Sequence, residues 1–173
     1  MTLLRSTLLF LCCAACGYQP VYGRDTVRLH VKLVRTIVPY AVASDEVVAA
    51  VREELARAGA VSPGDGFPRV EVEVLGVDET SDGIAAGESG PVARGSGLAI
   101  VARAWIVRDP GAAPESDTGD LRAQESVATD QMGNVPDPRA GGLHHESAVR
   151  AAARRLGRKI ARRIEGLPAA NED

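Results

Sequence analysis

Aromatic side chains are nearly missing from this chain: one Trp, three Tyr and two Phe make up 3% of 173 residues. A core with so few rings has to be filled by Val, Leu, Ile and Ala, a mixture that suits a sheet covered by alanine-rich helices. Cysteine is equally scarce, and Cys12, Cys13 and Cys16 are the whole supply. No disulfide can therefore form beyond residue 16, and the folded domain must stand on packing alone. A charge excess of one sign is also lacking. The formal net charge is -3, from 20 Lys and Arg against 23 Asp and Glu, which argues against bulk nucleic-acid binding. The apolar run at 8–11 is far shorter than the roughly 20 residues a membrane-spanning helix needs.

What is present begins at the N-terminus. Arg5 precedes the run at 8–11, small residues Ala14 and Ala15 follow, and then comes Cys16, the order of a secretory leader. Cys13-Ala14-Ala15-Cys16 is similar to the lipobox cut by lipoprotein signal peptidase. Cys13 stands where that pattern normally has Leu, and a free Cys behaves as a small hydrophobe. Cleavage before Cys16 would make it the acylated first residue of the mature chain, its thiol consumed by a thioether. Two or three acyl chains give a stable anchor, at about 0.8 kcal/mol for each buried methylene. Gly17, rather than Asp, in the next position resembles an outer-membrane address. The expected organisation is a signal peptide at 1–15, a lipidated tether at 16–23, a single domain at 24–166 and a disordered tail at 167–173.

Within the domain, Val27, Leu29, Val31 and Leu33 alternate with Arg28, His30 and Lys32, the period of a half-buried strand ended by Pro39. Ser44 then reads as a helix cap, followed by Asp45, Glu46 and an apolar series Val47, Val51 and Leu55, with Gly59 as the left-handed stop. Val70, Val72 and Val74 alternate with Glu71 and Glu73 in a second strand. The small, glycine-rich stretch at 80–97 reads as an irregular connection between neighbouring strands. Arg94-Gly95-Ser96-Gly97 runs into strand rather than helix, which excludes a phosphate-binding loop. The stretch 98–108 is apolar on both faces, as a central strand would be, and 121–129 alternates more weakly, as an edge strand would.

A long helix is expected from about His144 to Glu165, after a loop at 135–142. Ala148, Ala152, Leu156, Ile160 and Ile164 follow at four-residue steps, and Val149 and Ala153 widen the stripe enough to lie on a sheet. Its other face carries Arg150, Arg154, Arg155, Arg158, Lys159, Arg162 and Arg163. Cations near a helix C-terminus meet the negative end of its dipole, which accounts for part of this pattern. The excess makes these seven residues a candidate contact for an anionic partner, either lipid phosphate or an acidic protein rim. The fold class expected is α+β, a mixed four-stranded sheet with two helices packed on one face in the order β-α-β-β-β-α.

With these elements in place, Cys16-Gly17-Tyr18, the helix ending Glu53-Glu54-Leu55-Ala56-Arg57-Ala58-Gly59, the strand end Leu75-Gly76-Val77 and the alanine-rich terminal helix resemble the lipopolysaccharide-assembly lipoprotein family, LptE. The resemblance implies an outer-membrane lipoprotein on the periplasmic face that supports an LptD-like β-barrel translocon and contacts lipopolysaccharide in transit. The alternative from another class is a periplasmic ligand-binding or transport-auxiliary lipoprotein.

Catalytic patterns are weak. His144-His145-Glu146 is the one histidine cluster, and adjacent residues on a helix point in different directions, so the pair does not easily close on one metal; His30 is the residue that could join it in space. No Ser or Cys nucleophile is paired with a histidine, and lipidation would remove the thiol. Glu71 with Glu73, and Glu53 with Glu54, read as solvated faces of a strand and a helix. The expectation is a protein that is no enzyme, with no metal and no cofactor.

Overall fold

The computed structural model describes residues 27–38, 41–87, 90–129 and 138–166. The expected signal peptide at 1–15, the expected lipidated tether at 16–23 with Cys16, and the expected tail at 167–173 lie outside the described residues. The elements are β1 (His30–Thr36), α1 (Ala41–Arg57), β2 (Arg69–Gly87), β3 (Gly90–Val107), β4 (Ser116–Asp117), β5 (Leu121–Thr129) and α2 (Pro138–Ile164). β1 pairs parallel to β2 through the α1 crossover, and β2 pairs antiparallel with β3. β4 and β5 both pair antiparallel along the other edge of β3, with Asp117 opposite Trp105 and Leu121 opposite Ala102. They act as one interrupted strand. At the break, Thr118 N–H donates to Ala104 O at 2.9 Å while its Oγ1 accepts from Ala104 N–H at 3.0 Å, so the ladder groups of Ala104 stay satisfied. The expected α+β architecture is thus observed: a mixed sheet of four principal strands with two helices.

Both helices lie on one face because the alternation of the strands sends their aliphatic residues there. Val70, Val72 and Val74 of β2, Ile100, Ala102 and Ala104 of β3 and Ala123 of β5 are buried in one cluster with Val47, Val51 and Leu55 of α1 and Ala152, Leu156 and Ile160 of α2. Each Val, Leu or Ile so buried contributes about 1.5–3 kcal/mol. The helices run side by side in parallel, since Glu46 meets Arg154 and Glu54 meets Arg162 eight residues further along each. Gly157 permits the close approach: a Cβ there would lie 2.5 Å from Ala50 Cβ and 2.6 Å from Val47 O.

Three expectations about local structure need correction. α1 begins at Ala41, so Ser44 is buried inside the helix rather than capping it, with its Oγ 2.9 Å from Thr36 Oγ1. The strand before it supplies a hydroxyl partner that a free helix end would lack. α2 begins at Pro138, six residues earlier than expected; proline is well suited to a first helical turn, where its missing N–H has no partner to lose. The glycine-rich stretch at 80–97 is not irregular. It continues the β2–β3 ladder, with Thr80 opposite Gly97, Asp82 opposite Gly95 and Gly87 opposite Gly90. β5 pairs the same arm of β3 as far as Arg94. Glycine weakens a strand by entropy, but hydrogen bonds from two neighbours hold this one extended. Gly59, by contrast, acts as expected: at φ 70° it ends α1, and Ala60 N–H reaches back to Leu55 O at 2.8 Å.

β1 is the open edge of the sheet. Its alternation slips between Leu33 and Arg35, and Arg52 of α1 donates to Val31 O at 2.9 Å, occupying a carbonyl that faces away from β2.

Candidate functional site

α2 carries the candidate cations, and the fold brings most of them to carboxylates of its own neighbours. Arg154 donates Nε to Glu46 Oε2 at 2.8 Å, and that bond holds the guanidinium above its ordinary value. Arg150 lies 3.7 Å from Glu46 and 2.6 Å from Glu146. Arg155 donates to Gln124 O at 2.9 Å and lies 3.3 Å from Glu125 of β5. Arg162 reaches Glu54 at 3.4 Å, and Lys159 is engaged as well. Arg158, half-buried, and Arg163, exposed, have no ion-pair partner among the described residues. The basic face is therefore largely a seam that ties α2 to α1 and β5, with Arg158 and Arg163 as its outward remainder. The acidic half of the seam is visible in the sequence once α1 and α2 are known to be parallel, because Glu46 and Glu54 have the same eight-residue spacing as Arg154 and Arg162.

The helix-free face of the sheet holds a second charged array. Glu73, read from the sequence as solvated, is only 4% exposed. Arg103 Nε donates to its Oε2 at 2.8 Å, which holds Arg103 above its ordinary value, and Arg35 approaches within 3.9 Å. Beside it, Glu71 accepts from Trp105 Nε1 at 2.9 Å and from Arg69 Nε at 2.7 Å. Arg103 stacks over the Trp105 ring at 5.6 Å. Desolvation by the long Arg stems and the indole ring, rather than by a covering helix, is what buries Glu73. Glu53 and Glu54 are held by Arg57 within α1.

The histidines are not brought together. His30 Nδ1 lies 3.0 Å from Gly64 O, whereas His145 Nε2 lies 3.6 Å from Glu79. His30 pairs in register with Arg69, and Glu79 is ten residues further along β2, roughly 33 Å away at strand spacing. Among the described residues no group of three metal-ligating side chains is present. Among them, too, no helix is long and apolar enough to cross a membrane.

No protein-family model matches the chain, and no curated protein matches it by sequence. Solved structures do match. A candidate lipoprotein from Caulobacter crescentus CB15 superposes with a TM-score of 0.50 at 13% identity, over 80% of this chain and 93% of that one. The minor lipoprotein of Acinetobacter baumannii gives 0.48 at 13% identity, over 83% and 97% of the two chains. Rare lipoprotein B of Shewanella oneidensis gives 0.47 at 14% identity, over 79% and 97%. These structural neighbours are bacterial lipoproteins, and with the Caulobacter chain this protein shares its fold.

Proposed function

We propose that this protein is a lipid-anchored lipoprotein of the outer membrane, acylated on Cys16, that supports the β-barrel translocon for lipopolysaccharide export and contacts lipopolysaccharide through the outward cations of α2. The observation that carries the reading is the fold itself: a β-α-β-β-β-α domain, shared with the Caulobacter chain, placed behind a leader that ends Cys13-Ala14-Ala15-Cys16-Gly17. The role is noncatalytic. A sheet whose one face is sealed by helices and whose other is tied by ion pairs offers a rigid body to a partner rather than a reaction centre.

The test is a detergent pull-down of the native acylated protein from outer membranes, with mass spectrometry of what accompanies it. Stoichiometric recovery of a barrel protein is expected. Recovery without a barrel, or with an inner-membrane transporter, would overturn the translocon role and favour a transport-auxiliary lipoprotein. Arg158→Glu with Arg163→Glu should weaken retention of lipopolysaccharide without unfolding the domain, because neither side chain is in the seam; unchanged retention would remove α2 from the contact.

A further inference from the structure

β1 flanks β2 only as far as Val74, whose carbonyl accepts from Ile37 N–H at 3.1 Å. β2 runs on to Gly87, and no described strand pairs with its outer side past Val74. The direction of the backbone groups on this stretch follows from β3. There Ile106 O accepts from Glu115 N–H at 2.9 Å and Ala104 bonds Thr118, so even-numbered residues face β4 and β5 and odd-numbered ones face β2. Gly76, Asp78, Thr80 and Asp82 stand opposite Val101, Ala99, Gly97 and Gly95, and are therefore the residues bonded to β3. Val77, Ser81 and Gly83, at alternate positions, turn their N–H and C=O groups outward, away from β3.

Native sheets defend such an edge with lysine, proline, a covering element or a bulge. The β1 edge follows that rule: it carries Lys32 and Arg35, and Arg52 closes on Val31 O. From Val77 to Gly83, roughly 20 Å at strand spacing, β2 has no Lys, Arg or Pro. Its charges are Asp78, Glu79 and Asp82, all negative, with Asp78 and Asp82 at the same parity of the ladder. A second copy of this edge would set carboxylates against carboxylates. Arg122 and His145 approach Asp78 and Glu79 at 3.3 and 3.6 Å in exposed pairs, and each carboxylate keeps lone pairs for a further cation. Where the open edge begins, Ile37 is 60% exposed and offers an added strand apolar surface to cover. We propose that the β2 edge from Val77 to Gly83 binds an extended segment of a partner protein in which Lys or Arg alternates with apolar residues, adding to the sheet in line with β1. Backbone bonds to Val77, Ser81 and Gly83 supply affinity, and cations beside Asp78 and Asp82 set the choice of partner. This site goes beyond the translocon reading and is tested apart from it, because it uses neither the outward cations of α2 nor the lipid anchor.

The test uses the full chain in nanodiscs of zwitterionic phosphatidylcholine, with amide hydrogen exchange read residue by residue by NMR. The probe is a peptide of about ten residues in which lysine alternates with valine. Without it, the amides of Asp78, Thr80 and Asp82 should exchange slowly and those of Val77, Ser81 and Gly83 fast. On titration the three outward amides should slow saturably by about tenfold or more, and less so as salt is raised. The same peptide with glutamate in place of lysine should bind about tenfold more weakly. Ser81→Pro removes one outward donor, which an edge strand tolerates, and should abolish the response while the Val72 and Ile100 amides stay protected. Asp78→Asn with Asp82→Asn should keep the strand and remove the preference for lysine. No saturable slowing overturns the proposal, as does equal binding of the two peptides or a response that survives Ser81→Pro. Outward amides that are already slow without peptide also overturn it, and assign the edge to a second copy if the slowing grows with protein concentration, or to another part of this chain if it does not.

Discussion

The two faces of the sheet are held by different physics. On the helix-covered face, Val70, Val72, Val74 and Ile100 lie fully buried against aliphatic residues of α1 and α2, with no polar contact to satisfy. On the open face the same strands carry Arg69, Glu71, Glu73, Arg103 and Trp105, joined by hydrogen bonds and ion pairs. Burial is nearly indifferent to salt and pH, whereas the ion pairs are sensitive to both. β3 belongs to each face in turn. Its sequence is apolar on both sides, and even on the open face Trp105 and Val101 are half-buried and Val107 is buried.

The contrast is broken most severely from the covered side. Leu156→Ala should destabilise the domain by about 2–5 kcal/mol, read from chemical denaturation, because it leaves a cavity where α2 meets the sheet. Gly157→Val should cost about 1–3 kcal/mol by forcing α2 away from Ala50 and Val47, and a cost no larger than that of Ala151→Val would refute the close approach. On the open side Glu73→Ala should cost less, about 1–2 kcal/mol, with the difference from the parent shrinking as salt is raised. A loss that ignores salt would mean that Glu73 acts by packing alone.

Where the covered face meets the solvent, Glu165 gives a pH-dependent comparison. Its folded carboxyl holds the proton more tightly than the unfolded chain does, so stability is greatest below the unfolded value and falls as pH rises through the folded one. Glu165→Gln should therefore be more stable than the parent at neutral pH, with the gap closing as pH falls toward the ordinary carboxylate range; thermal melts at several pH values check this. The smallest effect belongs to Arg154→Ala. Its pair with Glu46 is exposed, and a melting temperature close to that of the parent is expected.

These comparisons also mark what the sequence could disclose. Each helix stripe was legible because it is local: Val47, Val51 and Leu55 repeat within one element, as do Ala152, Leu156 and Ile160. The order of elements and the place of β3 at the centre followed from the same periodicities. The seam between Arg154 and Glu46 was not legible, since its partners are 108 residues apart and meet only once α1 and α2 lie parallel. Glu73 misled for a related reason. Alternation shows which face a residue takes, but not that Arg35 and Arg103 from neighbouring strands converge on it. At 80–97 the low strand propensity of glycine and serine was outweighed by hydrogen bonds from partners distant in sequence. Ser44 obeyed the local rule for a cap, yet the hydroxyl of Thr36 and an earlier helix start drew it inside.

The most direct test of the anchored lipoprotein is the intact mass and N-terminal peptide of the native chain recovered from the outer-membrane fraction. A mature chain that begins at Cys16 and carries acyl groups on that residue is the predicted result. A chain that begins elsewhere, or an unmodified Cys16, would contradict it.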